Sequence, residues 1–85
     1  MRIETIQEPV EVIVLFRDGK LSPLKFRWRE RIYKISRING GWDTEEGIVR
    51  FHHFAVVTDG PDVFELSYNT KAHHWKIEKV SVGVG

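Results

Sequence analysis

Lys25, Arg27 and Arg29 stand at alternate positions and are the residues of this chain whose spacing most suggests chemistry. They interleave with Leu24, Phe26 and Trp28, so an extended backbone puts the cations on one face and the apolar side chains on the other. Same-face residues on a strand lie about 6.5–7 Å apart, near the spacing of phosphates along one nucleic-acid strand. Arg31 continues the series, with Lys34 and Arg37 beyond it. Tyr33 and Trp42 add rings on which bases can stack. The expected site is therefore Lys25, Arg27, Arg29 and Arg31 neutralising phosphates, with Tyr33 or Trp42 stacking. The bland alternative is a solvated sheet face whose arginines pair with Glu45, Glu46 or Glu65 on neighbouring strands.

Other constellations carry less. His52-His53 and His73-His74 suggest metal ligation, but adjacent residues on a strand point to opposite faces, so each pair offers one ligand per face. No metal and no cofactor is expected. The chain has no cysteine, which excludes disulfides and thiolate metal sites. No serine sits in a nucleophile-elbow pattern, and Gly40-Gly41 reads as a turn signal rather than a phosphate loop. The carboxylates of Asp43, Glu45 and Glu46 read as a solvated acidic loop around Trp42. Catalysis is not expected. Trp28 and Trp75, on apolar faces, read as core.

Charge is unevenly distributed. The net charge of the 85 residues is +1, yet residues 17–37 hold eight cations against Asp18 and Glu30, and both flanks are acidic. The basic centre is more informative than the total. With 41% hydrophobic residues the chain has the composition of a folded domain rather than of disorder. No apolar run is long enough to span a bilayer, and the start lacks the pattern of a signal peptide. A cytoplasmic location without a membrane partner is the expectation.

The elements that must position these residues read almost entirely as strands. Val10, Val12, Val14 and Phe16 recur at period two after Pro9, and the Asp18-Gly19 pair marks a tight hairpin turn. Residues 24–29 form the return strand. Residues 31–38 fit a strand rich in β-branched residues better than a helix bearing Ile32, Ile35 and Ile38. Residues 48–58 carry apolar side chains on both faces, as a central strand does. Asp59-Gly60-Pro61-Asp62 turns the chain into Val63–Tyr68, and His74–Val82 is the last strand. The Gly83-Val84-Gly85 end is expected to fray. The prediction is all-β: one domain over residues 1–85, ordered from about 9 to 82, as a single small antiparallel meander of five or six strands. It would be a strongly twisted sheet or a partly open SH3-like or OB-like barrel.

One longer pattern resembles a known family. It runs through Pro9-Val10-Glu11-Val12, Asp18-Gly19, Phe26-Arg27-Trp28-Arg29-Glu30-Arg31-Ile32-Tyr33-Lys34-Ile35 and Trp42. It continues through Phe51, Phe54-Ala55-Val56-Val57-Thr58, Phe64-Glu65-Leu66 and Trp75-Lys76-Ile77-Glu78-Lys79-Val80. The order resembles a small bacterial β-domain family of unknown function, itself similar to segments near the C-termini of inactive Y-family-polymerase-like mutagenesis accessory proteins. The resemblance covers roughly residues 9–80. It implies a free-standing bacterial β domain linked to DNA repair, supports the strand reading of residues 31–38, and transfers no functional residue.

Together these features predict a non-catalytic binding module for single-stranded or duplex nucleic acid. The rival expectation is a protein–protein adaptor in which Arg and Trp anchor an acidic partner or an exposed edge accepts a partner strand. A monomer or weak homo-oligomer suits both.

Overall fold

The computed structural model describes residues 2–83; Met1 and the Val84-Gly85 end, on which the expectation of fraying falls, lie outside them. Seven strands form one antiparallel sheet: β1 Arg2–Arg17, β2 Lys20–Trp28, β3 Arg31–Lys34, β4 Arg37–Glu46, β5 Val49–Val57, β6 Val63–Asn69 and β7 His74–Val82. Their order is β3-β2-β1-β7-β6-β5-β4. The all-β expectation holds, and the described residues contain no helix. The count is seven because the segment expected as an acidic loop is strand β4, which pairs with β5 from Arg37↔Val57 to Glu46↔Val49. Residues 31–38 are extended, as expected, but break at Ile35-Ser36. Nor is the order a plain meander, since β1 pairs with both β2 and β7.

Two long segments shape the sheet. β1 pairs with β7 through residues 2–10 and with β2 through residues 11–17, changing partner along its length. A bulge between Thr5 and Glu8, where Gln7 takes φ +56°, permits the bend. The chain from Arg31 to Glu46 does the same on the opposite side, pairing first with β2 and then with β5. At the changeover the Ile35 N–H donates to the Leu24 carbonyl (3.0 Å) and the Ser36 N–H to the Val57 carbonyl (2.8 Å). The two edges of the sheet are thus pinched together at one point without closing a barrel. Above and below the pinch they splay apart.

The core lies between the three strands β1–β3 and the remainder. Phe26, Val56, Phe64, Leu66, Trp75, Ile77 and Val80 are buried there, with Val10, Val12 and Val14 lining it from β1. Phe26 stacks on Tyr33 at 5.0 Å and meets Phe64 edge-on at 5.2 Å. Such rings give a small domain much buried area per residue, each worth about 1.5–3 kcal/mol. One inward position differs from the period-two expectation. The register shifts between Ile13 and Val14, so Val14 faces Pro23 and Leu24 becomes the extra residue of a bulge. Pro23 is buried in its place and Leu24 is 47% exposed. Phe16, on the expected apolar face, is 69% exposed because the β1–β2 hairpin runs past the core. No helix among the described residues is long and apolar enough to cross a membrane.

Candidate nucleic-acid interface

The β2–β3 hairpin divides the expected site in two. Strand register places Lys25 directly opposite Lys34 and Arg27 opposite Ile32, so Lys25, Arg27, Ile32 and Lys34 share the outward face. Glu11 and Ile13 of β1 continue that face beside Arg27 and Lys25. Lys25, Arg27, Arg31 and Lys34 form no ion pair among the described residues. The acids expected to cap a bland face stand elsewhere: Glu45 holds Arg50 at 2.9 Å, Glu46, on β4 at the other edge of the sheet, faces Val49, and Glu65 lies beside His53 and Lys79.

Arg29 leaves the cationic row. It and Glu30 are the two turn residues between β2 and β3, with φ of +51° and +64°. That is the left-handed backbone of a tight hairpin turn, occupied here by two non-glycine residues. Arg29 Nη2 donates to Glu8 Oε2 at 2.7 Å, and its guanidinium lies 4.4 Å from the Trp28 ring centroid. The Trp28 indole N–H donates to the same carboxylate at 2.9 Å. Hydrogen bonds from Arg29, then Trp28, hold the Glu8 carboxyl below its ordinary range, and Glu8 in turn raises Arg29. Arg29 therefore fastens the hairpin turn to β1.

Tyr33 and Trp42 occupy other surroundings than the expected stacking platform. Tyr33 shares the inward face with Trp28, where it stacks on Phe26 and leans on Phe64 at 5.3 Å. Arg31 follows the same parity, and its guanidinium lies 5.4 Å from the Tyr33 ring centroid. These residues reach the lower of the two gaps flanking the pinch, a cavity of about 650 Å³ between the free edge of β3 and residues 58–62. Trp42 belongs to β4, stacked on His53 with centroids 5.3 Å apart and planes 5° apart.

Sequence reasoning missed the polar cluster beneath Trp42. Thr44 Oγ1 lies 2.7 Å from His53 Nε2, and His53 Nδ1, buried without a hydrogen bond, is 3.5 Å from Glu65 Oε2. Beside it the Ser67 hydroxyl donates to Glu78 at 2.6 Å, and Lys76 donates to Gln7 at 2.9 Å. Burial opposes ionisation of Glu78, but hydrogen bonds from Ser67, Gln7 and Lys76 prevail and hold its carboxyl below the ordinary range. The hydroxyl–imidazole–carboxylate order is that of an activated nucleophile, yet the Trp42 ring lies over the imidazole and the larger cavities lie elsewhere. The advance signal was the His52-His53 pair, weighed above as a metal site; nothing in the sequence pointed to Thr44 as the partner of His53. The remaining histidines are dispersed: His52 bonds Asp43 at 2.7 Å, and His73 bonds Tyr68 at 2.9 Å. No three His, Asp or Glu side chains among the described residues come together as metal ligands.

Fold and site together define a small, open, antiparallel β domain with a cationic hairpin beside a splayed seam. No family model, curated protein or solved structure matches this chain.

Proposed function

We propose that this chain is a non-catalytic module that binds a nucleic-acid strand across the β2–β3 hairpin. The observation that carries this reading is the unpaired cationic set on one hairpin face. Lys25 opposes Lys34 and Arg27 lies two residues along; Glu11 stands across from Arg27, but none of the three cations forms an ion pair among the described residues. Like charges directly opposite on a ladder are destabilising, and a phosphate between them removes that repulsion. Arg31, on the opposite face of the same short strand, lines the adjoining cavity. A place beside DNA repair is part of the proposal and rests on the sequence resemblance alone.

A second reading is favoured by Ile13 and Ile32, which are 54% and 57% exposed on the same face. Exposed aliphatics among cations suit an acidic, partly apolar protein partner. Anisotropy titrations of labelled single-stranded and duplex oligonucleotides at low and moderate salt separate the two. Salt-sensitive binding lost in the Lys25→Ala/Arg27→Ala/Lys34→Ala variant is the expected result. No binding at low salt, where attraction is strongest, would falsify the nucleic-acid reading and leave the protein partner.

A further inference from the structure

We infer that the cavity beside β3 receives a single unstacked nucleobase from the strand whose phosphates cross the hairpin, an inference that rests on the function proposed above. The cavity opens where the sheet fails to close below the Ile35-Ser36 pinch. Its volume, about 650 Å³, lies within the range of sites that enclose small ligands. Trp28, Tyr33 and the buried Phe64 line its inner wall, with ring centroids between 5.3 and 6.2 Å apart, and the Arg31 guanidinium lies 5.4 Å from the Tyr33 ring, on the side a base would approach from the basic path. Aromatic rings at the end of a basic path are the usual receptor for an unpaired base.

The charges across the cavity give the nucleotide a direction. Arg31 and Lys34 stand on the β3 side and Asp59 and Asp62 on the opposite rim, while Arg2 and Glu4, which also line the cavity, neutralise each other as an ion pair at 3.4 Å. Asp62 already accepts the Gly83 N–H at 3.2 Å, while Asp59 has no hydrogen-bond or ion-pair partner among the described residues. A phosphate is drawn to the first side and repelled from the second. A base edge rich in N–H donors is drawn to the second, because an ionised carboxylate only accepts hydrogen bonds. Guanine presents two adjacent donors, N1–H and the N2 amino group, and suits one carboxylate best. Lys34 links the two halves of the site: it opposes Lys25 on the outer face and also lines the cavity. The strand therefore crosses the β3 edge at Lys34. The outer edge of β3 has no strand partner, so its outward backbone groups remain free to bond the base.

The test compares a labelled single strand of about ten nucleotides, a length typical of such sites, with the same strand carrying abasic sites. Anisotropy and Trp28 fluorescence are read together, with Trp28→Phe identifying the Trp28 signal. The expected result is about tenfold weaker binding of the abasic strand, within the effect of one stacked base, and Trp28 quenching by the intact strand only. Guanine-bearing strands should bind several-fold tighter than thymine-bearing ones, and Asp59→Asn should abolish that difference. Equal, salt-sensitive binding of intact and abasic strands overturns the base cavity while leaving the phosphate face standing. Failure of both strands to bind at low salt removes the nucleic-acid reading, and the base cavity with it.

Discussion

Lys25 and Lys34 face each other across the β2–β3 ladder with no acid between them. Directly opposed charges of one sign weaken a ladder by a few tenths to about 1 kcal/mol. Replacing Lys34 with Gln should therefore raise the urea midpoint slightly while weakening oligonucleotide binding. The opposed signs distinguish a binding residue from one kept for the fold. A variant that lost both stability and affinity would assign Lys34 to structure alone.

The Glu8 carboxylate carries the second prediction. It accepts from Arg29 and Trp28 at once and is held below its ordinary range by those bonds. Asp43 is lowered by its hydrogen bond with His52, and Glu78 by the net effect of Ser67, Gln7 and Lys76 against burial. A carboxyl lowered by folding adds stability that is fully present above its unfolded value and is lost as pH falls through its folded value. Urea midpoints should hold near neutrality and drop through and below the ordinary carboxylate range. Glu8→Gln should lower the neutral-pH midpoint and flatten the acid slope; an unchanged slope would mean that the Arg29 bond is not formed in solution.

The hairpin turn stores a cost that a single substitution can release. Arg29 and Glu30 both hold left-handed backbone, a conformation that disfavours residues bearing a Cβ by about 1–2 kcal/mol each. Arg29 is repaid by its bonds to Glu8, whereas Glu30 makes no hydrogen bond or ion pair among the described residues. Glu30→Gly should stabilise the domain by about 1 kcal/mol. Thermal melts check it, and a lower midpoint would show that the turn differs from this geometry.

Most strands were legible because their period was simple, and the departures have local causes. The His74–Val82 strand and the Asp18-Gly19 turn coincide with their expected positions. β4 was hidden because an edge strand buries little: Asp43, Glu45 and Glu46 are exposed, so acids that protect an open edge read as a loop. Leu24 was misplaced because a bulge moves one residue out of phase, which alternation cannot reveal. Arg29 left the cationic row for the related reason that an Arg-Glu pair is an uncommon tight turn, fixed by Glu8 twenty-one residues away. Lys25 and Arg27 needed only period two, and they are where it put them. Long-range partners and bulges decide the rest.

Phe26 sets the strength of the joint between the hairpin and the body of the domain. It is 1% exposed, stacked on Tyr33 and edge-on to Phe64. Truncating a buried Phe to Ala costs about 3–5 kcal/mol, a large share of the 5–15 kcal/mol typical of a domain. Phe26→Ala should be largely unfolded at mild urea, whereas Phe26→Leu should fold with a lowered midpoint. Retained stability in Phe26→Ala would place the hairpin outside the cooperative core.

The salt dependence of binding follows from the number of cations on the path. Each phosphate neutralised on a single strand contributes a slope of about −0.7 in log affinity against log salt. Lys25, Arg27, Arg31 and Lys34 together predict a slope of about −2.8. Removing Arg27 should make it shallower by about 0.7. Arg29→Gln should barely alter it, because that guanidinium is already committed to Glu8. If Arg29→Gln changed the slope as much as Arg27→Gln, the phosphate path would run over the hairpin turn instead of across the strands. The β3 edge would then lie outside the site, and Lys34 would lose its place at the crossing.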